Sequence, residues 1–211
     1  MDLRAQRREY RRAKLRRQDL NADPVEQFNQ WFQEAKQDNV IEPNAMILST
    51  VSSDGHPSAR TVLLKGVDDG DFVFYTNYES RKAREMEANP NVSLLFPWLI
   101  VERQVKVQGS ISKVSAEDSL QYFQTRPRGS RLGAWASEQS SVIQSREVLE
   151  LSLDKYKREF ADKDIPMPDN WGGYRVKIRS IEFWQGGENR LHDRFLYTRD
   201  EGGWKVERLA P

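Results

Sequence analysis

Apolar residues recur along this chain at two different spacings, and the change of spacing marks its elements. Phe28, Trp31, Phe32 and Ala35 fall three and four apart, which predicts an amphipathic helix from Asp23-Pro24 to about Asp38. Asp23 offers a capping carboxylate, and Pro24 suits the first helical position. The aromatic stripe of that helix reads as core. From Ala45 onward the texture becomes that of strands. Ala45–Val51 and Ser58–Leu64 predict a hairpin across Ser53-Asp54-Gly55-His56-Pro57, with His56 exposed in the turn. Phe72–Thr76, Asn91–Phe96 and Arg103–Val114 read as further strands, and Arg175–Trp184 and Phe195–Thr198 as the last two. Three helical stretches interrupt them: Ser80–Met86 with Ser80 as cap, Ser115 to about Thr125, and roughly Ser145 to Phe160. Pro166 and Pro168 mark the linker back to the final strands.

Most strand-to-strand links are too short for helical crossovers, so a doubly wound parallel sheet is disfavoured. The expected fold is mainly β with flanking helices (α+β): an antiparallel barrel. The first twenty residues form a basic N-terminal arm, and residues 21–211 form a single domain. Three readings of the arm stay open: a solvated, partly disordered tail, a flap that folds over an anionic ligand with Tyr10 as lid, or a nucleic-acid tail.

Composition narrows the chemistry. The 211 residues carry 33 basic and 32 acidic side chains, so no global field favours nucleic acid. Cys is absent, which removes disulfides, thiolate zinc sites and cysteine nucleophiles, and suits a reducing compartment. Two histidines far apart, His56 and His192, make a metal site an unpromising expectation. No apolar run approaches membrane-spanning length, and Met1-Asp2-Leu3-Arg4 does not lead into a signal-peptide core, so a cytoplasmic protein is expected. Dinucleotide, P-loop and Gly-x-Ser-x-Gly motifs are missing.

Basic residues nonetheless gather at the ends of regular elements. Arg60 and Lys65 share the run Arg60-Thr61-Val62-Leu63-Leu64-Lys65, but with opposite parity. Either the strand twists or bulges near Lys65, or the two bind different groups. Tyr75-Thr76-Asn77 runs into Ser80-Arg81-Lys82, where a helix N-terminus, a hydroxyl and two cations make a phosphate cradle. Tyr122, Arg126 and Ser130, at a helix end and the loop beyond it, suit a second phosphate. Trp184 through Arg194 packs an indole, Arg190, His192 and Arg194 around a strand end, a combination suited to a planar anion. Arg190 and His192 flank Leu191, so an extended backbone would point both the same way.

These stretches, with Leu94-Leu95-Phe96-Pro97-Trp98, Glu102-Arg103-Gln104-Val105, Gly133-Ala134-Trp135, Gln139-Ser140-Ser141, Trp171-Gly172-Gly173 and Phe183-Trp184-Gln185-Gly186-Gly187, resemble the pyridoxine/pyridoxamine 5′-phosphate oxidase family over nearly the whole chain. The resemblance implies a homodimeric split β-barrel with FMN at the subunit interface. It also implies oxidation of pyridoxine 5′-phosphate or pyridoxamine 5′-phosphate to pyridoxal 5′-phosphate. Hydride would pass to flavin N5, and O2 would restore the flavin and leave as hydrogen peroxide. By the same resemblance FMN would be held by residues 60–65 (Arg60, Thr61, Val62, Leu63, Leu64, Lys65), Tyr75, Thr76, Arg81, Lys82, Gln104, Gln139, Ser140, Trp184 and Arg194. Substrate would be held by Lys65, Tyr122, Arg126, Ser130, Arg190, Leu191 and His192, with Arg7 and Tyr10 closing over it. Arg190 and His192 would act at the reacting end. The rival readings are a flavin- or haem-binding barrel acting as sensor or carrier, and a basic-arm RNA-binding module.

Overall fold

A computed structural model of the chain, which describes residues 1, 3–5 and 8–211, places nine antiparallel strands in one curled sheet. The strands are β1 (Ala45–Val51), β2 (Pro57–Leu63), β3 (Gly66–Asp68), β4 (Asp71–Asn77), β5 (Asn91–Trp98), β6 (Arg103–Lys113), β7 (Trp171–Gln185), β8 (Asp193–Asp200) and β9 (Gly203–Arg208). The helices are α1 (Pro24–Gln37), α2 (Arg81–Ala88), α3 (Ala116–Thr125), α4 (Arg128–Ala136) and α5 (Arg146–Glu159). The sheet runs β2-β1-β5-β6-β7-β4-β3, with β8 and β9 added on β7.

The curl follows from β7. One edge pairs with β6 along most of its length, while the other divides: Trp171–Val176 pairs with β4 and Ser180–Gln185 with β8. Where the edge divides, the β6–β7 register slips by one residue between Gln108 and Gly109. A bulge there bends the sheet. Gly109 permits it, because a Cβ at that position would lie 2.2 Å from the Lys177 carbonyl oxygen.

Inside the curl, α1 buries the face its spacing predicts. Phe28 meets Phe72 at 4.6 Å and Phe96 at 5.0 Å between ring centroids, and Trp31 meets Phe183 edge-on at 5.2 Å. Asp23 caps the helix by accepting from the Val25 amide. A second cluster of Phe123, Leu132, Phe160, Ile165 and Trp171 binds α3, α4 and α5 to the start of β7.

Four elements depart from the sequence expectation. Residues 128–136, expected as loop, form α4: two glycines lower its intrinsic propensity, but burial of Leu132 against Phe123 and Phe160 overrides that. Arg128 also donates to the carbonyls of Phe160, Ala161 and Lys163 just past α5. Strands β3 and β9 are too short or too polar to announce themselves, and β7 starts four residues earlier than expected, at Trp171. His56 is exposed in its turn, as expected.

Gly109→Ala should therefore destabilise the fold by about 1–3 kcal/mol through overpacking against backbone. A lowered urea midpoint with an unchanged slope is the expected readout; an unchanged midpoint would show that the bulge tolerates a side chain.

Candidate functional site

Two cavities collect the basic clusters. The larger, of about 660 Å³, is lined by Arg60–Leu63, Lys65, Tyr75, Thr76, Lys82, Tyr122, Arg126, Ser130 and Gln139, with Trp171 as part of its wall. β2 ends at Leu63 and β3 begins at Gly66, so the chain breaks its pleat at Leu64-Lys65. That break answers the parity conflict: Arg60 and Lys65 reach the same cavity, while Leu64 turns into the core.

Four cations line this cavity, Arg60, Lys65, Lys82 and Arg126, and among the described residues none of its lining side chains is a carboxylate. Lys82, in the first turn of α2, donates to Gln139 Oε1 at 2.7 Å and Thr76 Oγ1 at 3.2 Å, both uncharged acceptors. Burial and the neighbouring Arg60 push its pKa down to about 8, with Glu85 opposing. The Arg126 guanidinium lies over the Trp171 ring at 4.5 Å, and its buried Nη1 has no hydrogen-bond partner. Burial lowers its pKa as well. Tyr122 stacks on Tyr75 at 4.0 Å, and Tyr75 on Trp171 at 5.5 Å. A buried guanidinium nitrogen with nothing to bond is costly unless an anion meets it.

The compensating carboxylate stands behind the wall. Glu85 is 5% exposed and accepts from Thr50 at 2.5 Å, Ser58 at 2.6 Å, Arg81 at 2.8 Å and Arg60 at 3.1 Å. Burial alone would raise its pKa, but these hydrogen bonds hold it down to about 2. Arg81 itself is exposed and does not line the cavity, and Ser140, at φ 76°, is exposed beside Gln139.

The second cavity, of about 330 Å³, is lined by Arg8, Glu9, Tyr10, Gly187, Asn189, Arg190 and His192. Here the expectation of an extended backbone fails. Asn189 and Arg190 are left-handed, at φ 53° and 62°, within a 3-10 turn spanning Glu188–Arg190. Arg190 and His192 still share a cavity because the turn folds between them, while Leu191 points to solvent at 71% exposure. His192 Nδ1 accepts from the Gly187 amide at 3.1 Å, which assigns the proton of the neutral ring to Nε2. Burial, then Arg190, lowers the His192 pKa. Trp184 meets His192 at 4.6 Å. Trp184 pairs across strands with Gln104 on one side and Arg194 on the other, and Arg194 is held by Glu182 at 2.7 Å. Arg7 lies outside the described residues.

The two cavities occupy opposite ends of β7. Gly173 pairs with Tyr75 of the first, and Trp184 beside the second stands eleven residues along, roughly 36 Å of strand at ~3.3 Å per residue. The sequence reading put Lys65, Tyr122, Arg126, Ser130, Arg190 and His192 on one substrate, and a single chain does not bring them together. Trp171, which lines the first cavity, and Glu85 were missed as site residues. The indole beside Gly172-Gly173 and the acid four residues after Arg81 were the available signals. Among the described residues no cluster of metal-ligating side chains occurs, and no helix is long and apolar enough to cross a membrane.

A family model described as pyridoxamine 5′-phosphate oxidase matches residues 32–158, and one described as the pyridoxine 5′-phosphate oxidase C-terminal dimerisation region matches residues 171–211. Pyridoxine/pyridoxamine 5′-phosphate oxidases of Rippkaea orientalis and Crocosphaera subtropica are 55% and 57% identical to this chain, each over 100% of both chains. Among solved structures, PhzG from Burkholderia lata in complex with tetrahydrophenazine-1-carboxylic acid is similar with a TM-score of 0.87 at 29% identity, over 92% of this chain and 95% of that one. A pyridoxamine 5′-phosphate oxidase-related, FMN-binding protein from Nostoc punctiforme shares the fold, with a TM-score of 0.72 at 17% identity over 91% and 100% of the two chains.

The depressed Lys82 pKa has two consequences of opposite sign. Between about pH 8 and its ordinary 10.5 the unfolded chain binds the extra proton, so the ligand-free fold should gain stability as pH rises through that window. An anion needs the ammonium form, so calorimetric affinity for a phosphate monoester should fall as pH rises through about 8. In Lys82→Met that dependence should flatten; a wild-type affinity constant from pH 7 to 9.5 would contradict the assignment.

Proposed function

The chain belongs to the pyridoxine/pyridoxamine 5′-phosphate oxidase family, and from that premise we propose that it binds FMN and oxidises pyridoxine 5′-phosphate and pyridoxamine 5′-phosphate to pyridoxal 5′-phosphate. The observation that carries the reading is the carboxylate-free cavity with four cations and an unbonded buried nitrogen on Arg126. Its donor set fits phosphorylated, planar ligands: cations and hydroxyls for phosphate, and Tyr75, Tyr122 and Trp171 for rings.

Arg60 and Lys82, with Thr76 and Gln139 beside them, would hold the FMN phosphate, while Arg81 stays outside the cavity on Glu85. Lys65, Tyr122, Arg126 and Ser130 would hold the substrate phosphate, with Arg126 kept in plane by Trp171. Lys65 is assigned to phosphate, not to a Schiff base with product. When bound, FMN supplies the capacity to take up a hydride from the substrate C4′ carbon and to pass the electrons to O2, giving hydrogen peroxide.

Arg190 and His192 would meet the substrate's reacting end from a second copy of the chain. Their distance along β7 from the phosphate cavity supports this, as does the match of residues 171–211 to a dimerisation region. Gln104, Trp184 and Arg194 would come to the flavin by the same route. With the Nδ1 lone pair taken by Gly187, neutral His192 presents Nε2–H, so its role is to donate a hydrogen bond and orient the ring. Arg190 adds fixed positive charge where the hydroxyl or amine loses its proton.

Aerobic incubation of the purified yellow protein with either ester should release pyridoxal 5′-phosphate and peroxide in equal amounts. Flavin that stays oxidised under anaerobic substrate would leave only a carrier or sensor. Arg126→Ala should raise KM on the order of a hundredfold with a smaller change in kcat, since it holds a part of the substrate that does not react. An unchanged KM would remove its phosphate role. Arg190→Ala should slow anaerobic flavin reduction by the equivalent of about 2–4 kcal/mol of barrier; an unchanged single-turnover rate would overturn that assignment.

A further inference from the structure

The second cavity is not built by the barrel alone. Arg8, Glu9 and Tyr10 of the N-terminal arm supply one wall, facing Arg190 and His192. The Tyr10 ring stands edge-on to Trp184 at 5.7 Å and to His192 at 5.8 Å. It sits against Gly186, where a Cβ would come within 2.7 Å of the ring. The arm has no regular backbone here, so something else must define where Tyr10 lies.

Glu102 does so. It is 5% exposed and stands in a left-handed conformation, φ 57°, between a 3-10 turn (Leu99–Val101) and β6. One carboxylate oxygen, Oε2, accepts the backbone amides of Arg11 and Arg12, both at 3.0 Å, and Oε1 takes Arg8 Nη2 at 3.3 Å. The Glu102 carbonyl accepts the Gly186 amide at 2.8 Å, so one residue fixes both Tyr10's own segment and the surface it rests on. Further along the arm, the Leu15 amide donates to Asp193 at 3.0 Å and the Leu15 side chain is buried, which anchors the far end independently.

We propose that Glu102 is a positioning residue for the reaction: it latches the arm so that Tyr10 closes the cavity holding Arg190 and His192. The proposal rests on the function proposed above, but the latch itself can be measured without turnover. Paired amides on one carboxylate define a backbone direction as well as a distance, which a side-chain ion pair would not. Removing them frees Tyr10 from its seat, whereas Leu15 keeps the rest of the arm attached.

Hydrogen exchange and steady-state kinetics on the full-length, FMN-loaded protein test this together. In Glu102→Ala, exchange at the Arg11 and Arg12 amides should rise at least tenfold while β6 and β7 keep their protection. KM for pyridoxamine 5′-phosphate should rise about tenfold with kcat changed less, the signature of lost substrate binding. Because Glu102 acts through Tyr10, Tyr10→Ala with Glu102→Ala should raise KM no further than Tyr10→Ala alone. Should the alanine variant not fold, Glu102→Gln keeps the volume and one acceptor oxygen and should show both effects in smaller degree. Unchanged exchange, unchanged KM or additive variants would each overturn the proposal. A wild-type protein that oxidises neither ester would sink the functional reading instead, and the exchange result would still decide the latch.

Discussion

Strand β7 must satisfy two different neighbours on one edge, and most of the molecule is arranged around that demand. Its early residues pair with β4 and its late residues with β8, so the sheet cannot remain a single flat surface. The bulge at Gly109 takes up the mismatch, and the curl closes over α1 with its aromatic face inward. The same strand sets the functional geography. Its start carries Trp171, stacked on Tyr75 in the wall of the larger cavity; its end carries Trp184, close to His192 and Tyr10. In the function proposed above, a second copy of the chain would supply the end that one chain lacks.

Electrostatics follow one plan in three places. A buried glutamate stands one layer behind each basic element and fixes it from the rear. Glu85 holds Arg60 and Arg81, Glu182 holds Arg194 and Lys106, and Glu102 holds the arm. The carboxylate charge of Glu85 is spent on orientation within the wall, which leaves the lining of the larger cavity positive. Lys82 and Arg126 make no ion pair with a carboxylate, and both have pKa values lowered by burial. An anion beside either group would favour its charged form and offset that penalty.

Helix α1, the first hairpin and the strands at Asn91 and Arg103 were legible in the sequence because their apolar spacing and capping residues state a local preference that burial then reinforces. Arg60, Lys65, Lys82, Tyr122, Arg126 and Ser130 were legible as cations and hydroxyls at element ends, and the fold brings all six to one cavity. Helix α4 was hidden, since its stability comes from Leu132 packing and from Arg128 at the end of α5, not from its own residues. Arg190 and His192 were placed correctly in one cavity for the wrong local reason: a left-handed turn, not extended backbone, brings them together.

Composition, periodicity and motif order, which are properties of residues and their near neighbours, determined the fold class, most of the elements and the family to which the chain belongs. Tertiary structure alone decided that the residues expected to bind substrate divide between two cavities, because strand length and pairing act over distances that local preference does not encode. It also decided which acids stand buried behind the walls and which face solvent: burial and hydrogen bonding, not residue type, distinguish Glu85 and Glu102 from the solvated carboxylates.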